Sequence, residues 1–115
     1  MVEYDPAQLD AVFHALSDRT RRGMLASLAE GEHTVGELAA PWDMSLAAAS
    51  KHLKTLERAG LVRRRVQGRT HVCRLQAERL RQAQGWLRFY EQFWTDRLDV
   101  LEREIRSAKE DKDHG

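Results

Sequence analysis

The chain has little cysteine, no long apolar run and almost no net charge, and each absence closes off a class of protein. A single cysteine, Cys73, among 115 residues excludes an intrachain disulfide framework. Without a CxxC pair or a Cys/His cluster around it, the sequence also argues against a structural zinc site, and no metal is expected. No stretch is apolar for long enough to cross a bilayer, and no charged-then-apolar leader opens the chain, so the expected location is the cytoplasm. Carboxylates are scattered, no Ser/His/Asp order stands out and no glycine loop would cradle a phosphate, so neither catalytic residues nor a cofactor are expected. There are no internal repeats. The length suits one domain with a modest core, whose stability can depend on a partner subunit. Residues 1–106 are expected to form that domain and residues 107–115 (SAKEDKDHG) a flexible polar tail.

The net charge of +1 hides an uneven distribution. Between Lys51 and Arg74 stand eight bases (Lys51, Lys54, Arg58, Arg63, Arg64, Arg65, Arg69 and Arg74) and one acid, Glu57. That is +7 over 24 positions, leaving −6 for the rest of the chain. Charge gathered on one short segment is an electrostatic footprint for a polyanion.

Leu9, Val12, Phe13 and Leu16 recur at helical spacing, which predicts a first helix over Pro6–Leu16 with the proline in its first turn. Ser17 and Asp18 offer a new N-cap, and Met24, Leu25 and Leu28 give a second helix that ends near Gly31. Thr34 and Glu37 have capping-box spacing and open a short third helix that stops at Pro41. Ser45 caps a fourth helix, in which Leu46, Ala49, Leu53 and Leu56 share an apolar arc and Gly60 marks the left-handed end. Two strand-like runs, 61–66 and 70–75, flank a turn at Gln67-Gly68-Arg69.

The third and fourth helices make a helix-turn-helix, and the basic hairpin behind it is a wing. In such a unit the second helix enters the major groove and its first residues reach base edges. Ala47 and Ala48 permit close approach and can touch a thymine methyl. Ser45 and Ser50 can donate to phosphates or bases, and Lys51 reaches a guanine edge or a phosphate. Lys54 and Arg58 lie further along and position the backbone, His52 bonds a phosphate, and Arg65 or Arg69 at the wing contacts phosphates or the minor groove. Cys73, beside basic residues, is read as an ordinary strand cysteine in preference to a thiol of lowered pKa.

A long last helix is expected over 77–106. Leu80, Ala83, Leu87, Tyr90, Trp94, Leu98, Leu101 and Ile105 line one face of it, and Trp86, Phe89, Phe93 and Val100 an adjoining one. Together they cover roughly 180°, where packing on a single domain needs about 100°. The surplus predicts a partner, most simply the same helix of a second copy. The rival reading is a ligand pocket lined by Trp86, Tyr90 and Trp94.

These segments resemble the ArsR (arsenic-repressor) family. The resemblance is carried by Phe13–Arg22 (FHALSDRTRR), Thr34–Ala39 (TVGELA), Met44-Ser45, Ser50–Val62 (SKHLKTLERAGLV) and the Gly68-Arg69 wing, and spans about residues 7–100. It implies a mainly α protein with a small β-hairpin wing, a winged helix-turn-helix that dimerises through its first and last helices and represses transcription by occupying double-stranded operator DNA. The dimer contacts would then include Leu9, Phe13, Trp86, Phe89, Tyr90, Phe93, Trp94, Leu98 and Leu101. Release would follow a small-molecule or protein effector. The metal-sensing pattern of the family is missing. Leu38-Ala39-Ala40 stands where those members have a cysteine pair, and residues 77–106 contain no histidine. Arg19 replaces a proline common among relatives. The competing reading is an interaction module of the same fold that docks a protein instead of DNA, anchored by an exposed Trp42.

Overall fold

The structure, a computed structural model, describes residues 5–113, with side chains through Glu110. It contains α1 (Pro6–Leu16), α2 (Arg19–Glu30), β1 (His33–Thr34), α3 (Val35–Ala39), α4 (Leu46–Arg58), β2 (Val62–Gln67), β3 (Thr70–Leu75), α5 (Glu78–Arg88) and α6 (Glu91–Asp113). The mainly helical fold with a small antiparallel wing is the one the sequence implies.

Side-chain caps place most of the boundaries. Asp5 accepts the Ala7 N–H and Pro6 opens α1, while Asp18 accepts the Arg21 N–H at 3.0 Å to start α2. Thr34 and Glu37 form the reciprocal capping box, with the Glu37 N–H donating to Thr34 Oγ1 at 3.1 Å and the Thr34 N–H to Glu37 Oε1 at 2.9 Å. Ser45 Oγ accepts the Ala48 N–H at 3.1 Å at the head of α4. At its end Gly60 takes a φ of +76°, and the bonds Leu61 N–H to Leu56 O (3.0 Å) and Gly60 N–H to Glu57 O (2.9 Å) complete a Schellman motif.

The wing is one strand larger than a hairpin. β2 and β3 pair antiparallel from Val62↔Leu75 to Gln67↔Thr70, and β1 adds to the other edge of β3 through His33↔Cys73 and Thr34↔Val72, giving the order β1-β3-β2. A two-residue strand carries no alternation, so sequence pattern alone does not reveal it.

The chain divides into two compact units between Ala83 and Gln84. The first owns the core: Val12, Met24, Leu53, Leu56, Leu61 and Cys73 are its largest fully buried side chains. The second has no buried residue between Gln84 and Glu110.

The expected continuous last helix is instead two. α5 closes with tight-turn bonds, Phe89 N–H to Trp86 O at 3.3 Å and Tyr90 N–H to Leu87 O at 2.9 Å, before α6 begins at Glu91. No glycine or proline announces this break. α6 also runs past Arg106 to Asp113, so the first part of the expected tail is helical, supported at its base by an Arg106–Glu102 pair one turn apart. The last two residues of that tail lie outside the described residues.

Candidate nucleic-acid interface

The helix-turn-helix is held rigidly at its turn. After α3, the Trp42 N–H donates to Ala39 O (3.0 Å) and the Met44 N–H to Trp42 O (2.9 Å). These bonds lay the Trp42 indole across α2, where a Cβ added to Gly23 would collide with the ring. Trp42 is therefore half-buried, not the exposed anchor the sequence suggested.

α4 is strongly two-faced. Ala49, Leu53 and Leu56 are fully buried, while Ala47, Lys51, Lys54 and Arg58 are exposed and fall within about 60° of one another at 100° per residue. Ser45 uses one oxygen lone pair for the cap and keeps its hydroxyl proton for an acceptor. Ala48 and Ser50 flank the exposed face, both half-buried.

Two side chains depart from expectation. Leu46 shares the phase of the core residues, yet it is 63% exposed, because the first residue of the helix lies ahead of the turns that the core covers. His52 turns to α2, its Nδ1 3.3 Å from Arg21 Nη1 and 3.9 Å from Asp18 Oδ2. The same Arg21 donates to Ala15 O (2.9 Å) and His14 O (3.0 Å), tying the end of α1 to α2. His52 thus belongs to a structural joint and is not brought to the group on the exposed face.

The wing arginines, alike in sequence, have different fates. Arg64 points to the core side of β2, donates to Glu57 Oε1 of α4 at 2.6 Å and lies 3.3 Å from His71 Nδ1. It is a strut between helix and wing. Period-two alternation shows it in advance, since Val62, Arg64 and Val66 share a face. Arg65 is held by Glu32 at 3.2 Å, an exposed pair that competes with any phosphate. Arg69 sits at the tip beside Gly68, whose φ of +61° makes the turn. Of the eight bases, Lys51, Lys54, Arg58, Arg63, Arg69 and Arg74 make no ion pair among the described residues. Arg63 and Arg74 face each other across the ladder, a like-charge pairing that costs stability unless an anion lies over it. Val35 and Gly36 at the head of α3, Leu46 and Ser50 of α4, and Arg69 and Thr70 at the wing line a cleft of about 610 Å³.

Cys73 is fully buried, and burial pushes its thiol pKa up; the Arg64 guanidinium nearby opposes this more weakly. It is a core residue, not an activated thiol. Leu9 and Phe13 are half-buried against the chain's own core. In the second unit, Trp86, Leu87, Tyr90, Phe93, Trp94 and Arg97 line an open apolar cradle of about 480 Å³. Tyr90 is its centre, with ring centroids 4.9 Å from Trp86, 5.0 Å from Phe89 and 6.4 Å from Phe93. Phe89, Leu98 and Leu101 are also exposed there.

Residues 16–65, the helix-turn-helix with the start of the wing, match a family described as a helix-turn-helix domain. The chain is 37% identical over 102 residues to the HTH-type transcriptional regulator Rv2034 of Mycobacterium tuberculosis, covering 89% of this chain and 92% of that one. A crystal structure of an ArsR-family transcriptional regulator, RHA00566, superposes with a TM-score of 0.75 at 40% identity, over 83% of this chain and 97% of the other. The chain belongs to the ArsR family. A second solved structure, an ArsR-like regulator from Rhodococcus sp. RHA1, agrees at a TM-score of 0.69 and 32% identity, covering 88% and 93%. This ArsR-family protein is a DNA-binding transcriptional regulator, which decides against the protein-docking alternative. Its relatives are regulators, a non-enzymatic role. No described helix is long and apolar enough to cross a membrane.

Proposed function

We propose that this ArsR-family regulator is a homodimeric repressor that lays α4 in the major groove of its operator, with the tip of the wing on the backbone or in the adjacent minor groove. The observation that carries this is the set of bases on α4 and the wing left without acidic partners among the described residues, a footprint that suits a polyanion. Within it, Ala47, Ala48, Ser50 and Lys51 face the bases, Lys54 and Arg58 position the backbone, and Arg69 grips it. The exposed aromatic surface of the second unit supports pairing of two copies, because isolated helices without buried side chains are marginal in water. Two recognition helices then take half-sites about one DNA turn apart, or a multiple of it.

Fluorescence anisotropy on the DNA upstream of its own reading frame, from 50 to 200 mM salt, tests this. Six to ten phosphate contacts predict a loss of about 10³–10⁵-fold in affinity across that range. A flat response would overturn the reading. Lys51→Ala is expected to narrow discrimination among operator variants, and Arg69→Ala to weaken all of them evenly. Uniform loss with Lys51→Ala would move that residue to the phosphate-positioning set.

A further inference from the structure

Leu46 stands out as an exposed apolar side chain at the head of α4: it lies roughly 100° round the helix from the lysines and arginines, in the phase of the core residues, yet it emerges into the cleft beside the wing. It is the first residue of α4, 63% exposed, and borders the same cleft as Ser50, Arg69 and Thr70. Its helical phase would bury it were it one turn later, so its exposure follows from its position at the helix head rather than from loose packing. The Ser45 cap fixes the backbone there, with the Ala48 N–H on Ser45 Oγ at 3.1 Å, so the side chain is presented from a rigid turn. Its neighbour Ala47 is exposed and too small to hold α4 off a partner surface.

On the floor of the major groove the bases present hydrogen-bonding groups and one apolar group, the C5-methyl of thymine. A leucine at the leading turn of the inserted helix has no hydrogen bond to offer and would leave a base donor or acceptor unpaired at any other edge. We propose that Leu46 is a specificity-determining residue that reads a thymine methyl in each half-site. This rests on α4 occupying the major groove.

The test uses the full chain and a duplex it selects from a random-sequence pool. Each thymine of the selected duplex is replaced in turn by deoxyuridine, which deletes only the methyl. At one thymine per half-site the replacement is expected to weaken binding about four-fold, the equivalent of about 0.8 kcal/mol for one buried methyl. Leu46→Ala should abolish that sensitivity while keeping the salt dependence of binding. Leu46→Gln should move the preferred base at the same position toward adenine, whose N6 and N7 a carboxamide can pair. Both variants alter an exposed side chain, and unchanged circular dichroism would establish that they fold. The proposal is overturned if no thymine is methyl-sensitive, or if the sensitive thymine remains so in Leu46→Ala, which would assign the methyl to Ala47 or Ala48. Failure to enrich any duplex is a different result and would overturn the DNA reading on which the proposal rests.

Discussion

The two units of this regulator solve the problem of apolar surface in opposite ways. The first gathers fifteen buried apolar residues from every one of its elements except β1, ending with Ala83 on α5. In the second, Phe89 is 65% exposed and Leu98 59%, and no described residue is buried. Fully burying a large apolar side chain is worth about 1.5–3 kcal/mol, so the first unit can hold its own fold while the second leaves its stabilisation unclaimed. The difference teaches that the reading head finds its stability within the chain, whereas the terminal helices leave an apolar surface that the proposed pairing of two copies would cover.

The sharpest way to break that contrast is to make the second unit's surface unfit for a partner. Trp94→Glu combined with Leu98→Glu is expected to turn the protein into a monomer by sedimentation equilibrium. It should cost about 100-fold or more in operator affinity, because two linked half-site contacts become one. α6 should lose helicity while the chemical shifts of the first unit stay in place. A double variant that remains dimeric at micromolar concentration would remove the aromatic surface from the interface.

A second contrast lies within the first unit, between Arg64 and Arg69. Arg64→Ala removes charge-assisted bonding at a half-buried position, and such bonds are worth about 1.5–3 kcal/mol. The Arg64 Nε is itself buried without a partner, so part of that gain is already offset and the expected loss is about 1–2 kcal/mol by urea unfolding. Arg69→Ala should stay within about 0.5 kcal/mol in the same experiment, since the side chain is exposed. Equal destabilisation by both would show that Arg64 is no strut between α4 and the wing.

How far such distinctions are visible in the sequence depends on the range of the interaction behind them. α1 to α4 are legible because their caps are local: Asp18, Thr34, Ser45 and Gly60 each act within a few residues. The wing is legible from alternation and Gly68. The break at Phe89-Tyr90 is not, since its residues carry the same helical pattern as their neighbours. β1 is too short to have a pattern and exists only because β3 offers an open edge. Leu46 has the right phase and the wrong end of the helix, a fact that requires knowing how far the core extends. His52 and Arg65 look like phosphate ligands until Arg21 and Glu32, about 30 residues away in sequence, are brought beside them.

Gly23 shows the first unit's tight packing from another side. In an exposed helix interior, glycine to alanine stabilises by about 1 kcal/mol. At Gly23 the added methyl meets the Trp42 indole, and overpacking of this kind costs about 1–3 kcal/mol. Gly23→Ala is therefore expected to destabilise by about 1 kcal/mol net in thermal or urea unfolding. Trp42→Leu in the same chain should recover the difference if the ring is the obstacle. Stabilisation by Gly23→Ala alone would mean that the indole moves aside freely.

The smallest effect concerns Asp18 and its dependence on pH. The Arg21 N–H, more than the neighbouring Arg21 and His52 side chains, holds this carboxyl below the ordinary aspartate range, against the desolvation that raises it. A carboxyl whose folded pKa lies below its unfolded one contributes stability that is present above the unfolded value and disappears as the pH falls through the folded value. Asp18→Ala is expected to cost about 1 kcal/mol at neutral pH, the usual worth of such a cap. Below about pH 4 the difference from the parent should shrink as the carboxyl protonates in both states. Asp18→Asn, which keeps an acceptor but no charge, should retain most of the neutral-pH stability and lose the pH dependence. A cost that stays constant down to pH 2 would show that Asp18 acts through the hydrogen bond from the Arg21 N–H and not through its charge.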